Sequence, residues 1–246
     1  MEYDVDQDYW ENHWVEIGGT GRGTMVDAPP NAHTVLELGG LDPRRPDGQS
    51  PGTALDAGCG AGAEAIWLAE RGWRVTGADF SATALTHAAR RAREAGVADA
   101  VTWVEADLCT WTPEHPIDLV TTHYAHPEMP QLDFYARIAG WVAPGGTLLI
   151  VGHRHTPPRP DDHAHNTHNT HDAHDDGPHT DDAHDDDTHT ESPPPETLVS
   201  AAAVTALLDP ELWEIVTAEQ IDGTRVRHDG TVRPVHDVVV RAVRRR

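Results

Sequence analysis

Between residues 53 and 152 short apolar runs alternate with longer amphipathic stretches. Residues 53–57, 73–78, 100–105, 117–122 and 147–152 have strand length and sit between Gly, Asp or Pro, as buried strands do. Residues 61–71, 82–95 and 131–142 have helix length, and Ile66, Leu68 and Ala69 give the first of them an apolar face. Ser81 suits the N-cap of the second, and Gly96 suits its close. Each strand is expected to be followed by a helix or a helix-sized segment. Right-handed crossovers then wind the chain into a doubly wound, mostly parallel α/β sheet with helices on both faces.

Outside this stretch the pattern is thinner. Trp10 and Trp14 lie four apart, so a helix would put both on one face of an acidic N-terminal segment. They either dock that segment on the body or close over a ligand pocket as an aromatic lid. Residues 18–23 are a Gly-rich loop. Pro29-Pro30-Asn31 opens a helix expected to turn Val35, Leu36 and Leu38 inward, and residues 43–52 read as a polar linker. Near the C-terminus, Ser200 caps a helix over 201–208. Strands at 212–217 and 235–243, joined through 222–230, bring the sheet to seven, and Arg244-Arg245-Arg246 is a solvated end. The organisation that results is a lid and linker (1–52), a core (53–152), an insertion (153–195) and the remainder of the same sheet (196–246).

The chemistry concentrates where the first strand ends. Asp56-x-Gly58-x-Gly60-x-Gly62 is a glycine turn between strand and helix, the layout that sets a nucleotide-like ligand over a strand's carboxyl end. A dinucleotide fingerprint spaces its glycines G-x-G-x-x-G and seats a pyrophosphate on the helix. Here the spacing differs, and Asp56 precedes the first glycine. A carboxylate there suits a cationic ligand and opposes a phosphate. S-Adenosylmethionine carries an ammonium, a sulfonium and no phosphate. Asp79 follows Gly58 by 21 positions, close to the offset of about 20 residues at which an acid reaches ribose hydroxyls. Asp107 and His123 also fall at expected strand ends.

Leu55-Asp-Ala-Gly-Cys-Gly-Ala-Gly62, Val75-Thr-Gly-Ala-Asp79-Phe-Ser, Glu105-Ala-Asp107-Leu, Ile117-Asp-Leu-Val120 and Ala143-Pro-Gly-Gly146 together resemble the class I S-adenosylmethionine-dependent methyltransferases. The resemblance runs from about Tyr9 to the C-terminus, one insertion excepted. It implies a Rossmann-like sheet of seven strands, the last antiparallel. It also implies that Asp56, Gly58, Cys59, Gly60 and Gly62 hold the donor's methionine end. Asp79, with Phe80 and Ser81, would meet the ribose, and Asp107, with Leu108, the adenine. His123 and Tyr124 would line the methyl-transfer pocket, with Trp10 and Trp14 above it. Within that family the opening Trp10-x-x-x-Trp14 and the Pro-Asn segment are similar to thiopurine and tellurite-resistance enzymes. His123 and His126 are candidates for a base or for positioning the acceptor, and His153 or His155 could serve instead. Each could equally be a buried structural histidine. No Asn/Asp-Pro-Pro-Tyr pattern follows strand four, which argues for a small acceptor by elimination.

Charge changes the list of partners. A formal net charge of −23 disfavours nucleic acid, which needs a basic stripe. No apolar run spans a bilayer and no charged-then-apolar leader opens the chain, so a cytoplasmic, membrane-free protein is expected. Cys59 and Cys109 form neither a disulfide framework nor a zinc spacing. Residues 161–191 contain eleven acids and eight histidines and are expected to be disordered. There His163, His165, His168, His171 and His174 recur every two or three residues, so loose, non-specific divalent-metal binding is expected. Two other functions share these features: a nicotinamide-dependent oxidoreductase, and a metal-buffering protein that uses the His/Asp tract.

Overall fold

In the computed structural model the described residues are Glu11, Trp14, 26–45, Gly48, 50–154, 199–226 and 232–246. The elements are α1 (Ala32–Leu38), β1 (Thr53–Ala57), α2 (Ala63–Glu70), β2 (Arg74–Asp79), α3 (Ala82–Glu94), a 3₁₀ turn (Ala98–Ala100) and β3 (Val101–Glu105). Then follow β4 (Ile117–His123), α4 (Gln131–Ala139), β5 (Val142–His153), α5 (Ala201–Ala206), β6 (Trp213–Val226) and β7 (Val232–Arg244). The seven strands form one sheet in the order β3-β2-β1-β4-β5-β7-β6. β1 pairs in parallel with β2 and β4, as do β2 with β3 and β4 with β5, whereas β7 is antiparallel to both β5 and β6.

Alternation along the strands splits the core into two layers, because successive side chains leave opposite faces. Leu55, Val120, Leu148 and Val240 turn to one face, against Phe134 and Ile138 of α4 and Val204 of α5. Ala54, Leu119, Leu149 and Val239 turn to the other, against Leu38 of α1 and Ala65 and Leu68 of α2. Strand order reverses between β1 and β4, and ligands of open α/β sheets bind at such a switch point, outside the carboxyl ends. The register brings those ends level there. Asp56 lies beside Gly77 and Thr121, His123 beside Val151, and His153 beside Asp237.

Several expectations from the sequence fail in instructive ways. α1 does not turn Val35 and Leu36 inward: they are 42% and 76% exposed, and the helix buries Thr34 and Leu38 instead. The helix-sized segment expected between β3 and β4, residues 106–116, holds no helix. The Asp107 carboxylate accepts hydrogen bonds from the Cys109 amide (2.8 Å) and the Thr110 hydroxyl (3.0 Å), closing a turn that competes with a helix. α4 ends at Ala139, not 142, because Trp141 already gives its carbonyl to Ile117 N and Val142 pairs with Ile117. Within residues 43–52, Arg44 bridges Pro51 and Arg45 N donates to Ser50 O. β6 and β7 run well past their expected bounds as a long antiparallel pair. No helix of the described residues is long and apolar enough to cross a membrane.

Candidate active site

The loop between β1 and α2 is stitched to the neighbouring strand. Gly58 N and Cys59 N both donate to Ala78 O, and Gly60 N donates to the Asp79 carboxylate at 2.8 Å. At Gly58 φ is +78°, and a Cβ would sit 2.6 Å from the Ala125 methyl beyond β4. At Gly62, also at +78°, it would strike Trp103 at 2.6 Å. Both positions therefore demand glycine, for backbone conformation and for space.

Asp56 ends in this loop at 1% exposure. Its Oδ1 lies 3.9 Å from His123 Nδ1, within ion-pair range but beyond a hydrogen bond, and Oδ2 has no partner among the described residues. Burial pushes the Asp56 pKa up to about 6; His123 works against that rise and Glu64 adds to it. On His123 burial opposes the charged form, but the Glu64 and Asp56 carboxylates outweigh it and raise the pKa above its ordinary value. His123 Nε2 meets Thr34 Oγ1 of α1 at 2.5 Å, and Asn31 N donates to Glu64 at 2.8 Å. Thr34 and Glu64 thus complete a charged centre that the sequence showed only as Asp56 and His123. Neither has a motif, since each reaches the centre through tertiary packing.

Beyond β4 the backbone is strained. Tyr124 has φ +50°, and no other described non-glycine residue takes a positive value. Its ring lies 4.6 Å from that of His153, which stacks on His126 at 5.5 Å with planes 9° apart. Asn31 Nδ2 reaches the Tyr124 hydroxyl at 3.4 Å. Burial, with His153 beside it, lowers the His126 pKa to about 4, so that imidazole is neutral near pH 7. Next to this group His33 Nε2 contacts the buried Asp237 carboxylate at 3.2 Å, another pairing the sequence did not announce.

At the end of β2, Asp79 takes Gly60 N on one oxygen and Ser81 N on the other, and burial raises its pKa. Phe80 is half-buried beside it. The Ser81 side chain caps α3 through Ala84 N and also donates to Glu11 at 2.5 Å. Glu11 and Trp14 both make contacts at this end of the sheet. Trp14 is buried against Ala61, Ala84 and Val26, and its ring limits the space at Gly60 to 3.0 Å. Asp107 is exposed and its pKa lowered through its turn contacts with Cys109 and Thr110, while Leu108 is buried. Burial raises both thiols, Cys59 well above its ordinary range and Cys109 to about 11, so neither is a thiolate near neutrality. Trp10, His155 and His163, His165, His168, His171 and His174 lie outside the described residues. Among the described residues no three His, Cys, Asp or Glu side chains could hold a metal ion.

A sheet ordered 3-2-1-4-5-7-6, with an acid-led glycine loop at its switch point, defines the class I S-adenosylmethionine-dependent methyltransferase fold. Comparison with known proteins agrees, since residues 54–146 match the methyltransferase domain family. Residues 54–146 therefore match a methyltransferase domain, and the sheet that holds them has the class I fold. It is 32% identical over 114 residues to ribosomal RNA small subunit methyltransferase C of Alcanivorax borkumensis, covering 44% of this chain and 34% of that one. Trans-aconitate 2-methyltransferase of Azoarcus sp. is 38% identical over 40% of this chain and 38% of its own. Probable thiol methyltransferase 2 of Arabidopsis thaliana is 30% identical over 58% and 60%. The chain thus spans between about a third and three-fifths of the curated relatives it matches. N-methyltransferase NodS of Bradyrhizobium japonicum, solved with S-adenosyl-L-homocysteine, superposes with a TM-score of 0.57 at 18% identity, over 96% of this chain and 97% of that one. That likeness is one of fold.

Proposed function

We propose that this chain transfers a methyl group from S-adenosylmethionine to a small-molecule acceptor. The observation that carries the reading is the Asp56 carboxyl, sealed at 1% exposure with one oxygen unpartnered among the described residues. A buried acid in that state calls for a cationic or hydrogen-bond-donating partner. The donor's ammonium would meet that need, whereas the pyrophosphate of a nicotinamide dinucleotide would face the same carboxylate and be repelled. Asp79 keeps lone pairs free beyond its two amide contacts, so the ribose diol fits there. The adenine amino group fits near the exposed Asp107, and the Trp14 ring over Gly60 would close that side.

When bound, the donor supplies an electrophilic methyl on a sulfonium, whose thioether leaves neutral. The protein's part is to hold two reactants in line, which is worth ~7–11 kcal/mol in favourable cases. The surroundings of both candidate bases support positioning over proton transfer. His123 is buried, with Nε2 on Thr34 and Nδ1 turned to the Asp56 carboxylate, and His126, at about 4, is a weak base. This favours an acceptor atom that arrives with an available lone pair, such as a thiolate, a reduced metalloid or an amine. Hydroxyls remain in the test for comparison.

Two of the relatives' names, trans-aconitate and thiol methyltransferase, support a small acceptor, as does the acidic surface. One relative is a ribosomal RNA enzyme, so a structured RNA belongs in the same panel. The test is release of S-adenosylhomocysteine across thiols, selenite, tellurite, amines, phenols and that RNA. Turnover confined to RNA would overturn the small-molecule assignment. Failure of equilibrium dialysis to show retention of S-adenosylmethionine or S-adenosylhomocysteine would overturn the whole reading.

A further inference from the structure

Resting on the methyltransferase reading, we infer that Thr34 is a positioning residue that acts through His123 on Asp56 and so sets the grip on the donor's ammonium group. Thr34 is fully buried, and its hydroxyl approaches His123 Nε2 at 2.5 Å. The opposite ring nitrogen, Nδ1, is aimed at Asp56 Oδ1 at 3.9 Å and has no hydrogen-bond partner among the described residues. A hydroxyl that donates to Nε2 leaves the imidazole proton on Nδ1, where it faces the carboxylate. The reverse arrangement would turn the Nδ1 lone pair toward Asp56 and repel it. Whether it donates to Nε2 or accepts from it, the Thr34 hydroxyl anchors that edge of the ring and so keeps Nδ1 turned toward Asp56, fixing the orientation of the pair.

The contact also explains an anomaly in α1, whose buried face uses a threonine while Val35 and Leu36 point to solvent. α1 lies outside the 54–146 segment that matches the methyltransferase domain family. The relay is thus built from this chain's own N-terminal region onto the shared loop. Glu64 is the other charged group that bears on both His123 and Asp56, and Asn31 N ties it to the start of α1. One short helix consequently supports both sides of the buried charge.

Two sulfur nucleosides separate this role from simple packing. S-Adenosylhomocysteine carries the ammonium, whereas 5′-methylthioadenosine shares the nucleoside and lacks the amino-acid end. Calorimetric titration of the full chain is expected to show T34V and H123Q weakening S-adenosylhomocysteine about tenfold, the size of a charge-assisted hydrogen bond. Methylthioadenosine should change by less than about twofold on the same scale. T34S, which keeps the hydroxyl, should restore wild-type affinity and so controls for a folding defect in T34V. Equal losses for both nucleosides, or no loss for either, overturn the relay. A wild-type chain that binds methylthioadenosine but not S-adenosylhomocysteine also overturns it. If the wild type binds neither, the methyltransferase reading itself has failed, a separate and recognisable result.

Discussion

Asp56→Asn should make the ligand-free protein more stable and a worse binder. Raising a carboxyl from 3.8 to about 6 means that burial disfavours its ionised form by roughly 3 kcal/mol at neutral pH. Asparagine has nearly the same shape and carries no such charge. Part of the gain is given back, because His123 loses a carboxylate that favours its protonated form. A net gain of about 1–2 kcal/mol remains, and for a chain of this size that is a Tm increase of roughly 2–8 °C. The pH dependence gives the sharper check. Between about 3.8 and 6 the folded state holds a proton that the unfolded state has released, so wild-type stability falls as pH rises through that window. The Tm difference between variant and wild type should therefore be near zero at pH 3.8, open through that interval and stay constant above it. Over the same titration the variant should bind S-adenosylhomocysteine roughly 10–100-fold more weakly, the usual worth of a hydrogen bond to a charged group. Scanning calorimetry across pH, paired with calorimetric binding, reads both. A less stable variant above pH 6, or one with unchanged affinity, would refute the assignment of Asp56 as a strained acid held for a cation.

Gly58→Ala should cost about 2 kcal/mol or more, since the left-handed backbone alone costs ~1–2 kcal/mol and the new methyl meets Ala125 at 2.6 Å; urea unfolding measures it. His126 should remain neutral down to about pH 4, and stability should fall with acid between 6.5 and 4, where only the unfolded chain takes up that proton. An NMR titration of the imidazole carbons that showed a midpoint near 6.5 would contradict its burial against His153. Deleting residues 161–191 should leave S-adenosylhomocysteine affinity within about twofold. Arg154 and Val199 already bridge each other, so residues 155–160 and 192–198 have little distance to close. A protein whose purpose was the His/Asp tract would instead lose zinc binding and function together, which zinc titration of both forms would reveal.

What the sequence could show divides along a physical line. Asp56, Asp79 and Asp107 stand at strand ends, and a strand end is a local property written in Gly, Asp and apolar runs. The order of β1 to β5 follows from the same local signals. Thr34 had no such signal. Its environment is set by His123, 89 positions away, and only the packing of α1 over the sheet brings the two together. For the same reason the apolar Val35 and Leu36 misled the reading of that helix: hydrophobicity marks a face only when the face has a partner. Asp107 shows the limit from the other side: it stands just past the expected strand end, but the turn it closes with Cys109 and Thr110 had no signal in the sequence.

The acceptor is illegible for a related reason. Relatives named for ribosomal RNA, trans-aconitate and thiols share only part of their length with this chain, and the matching domain stops at residue 146. The shared stretch runs from β1 into β5 and holds Asp56, Asp79 and Asp107, the groups suited to a donor. The groups on the other side of the switch point have separate origins. Asn31, His33 and Thr34 precede that stretch, His153 and Asp237 follow it, and only Tyr124 and His126 belong to it. Here the wall is made of imidazoles and a tyrosine ring over a buried aspartate, with His126 neutral. Such a wall offers polarisable surface, and His126 adds no charge to it near neutral pH. Because most of that wall comes from residues outside the shared stretch, the relatives' acceptors do not carry over, and the screen has to run thiols, metalloids, amines, hydroxyls and RNA side by side.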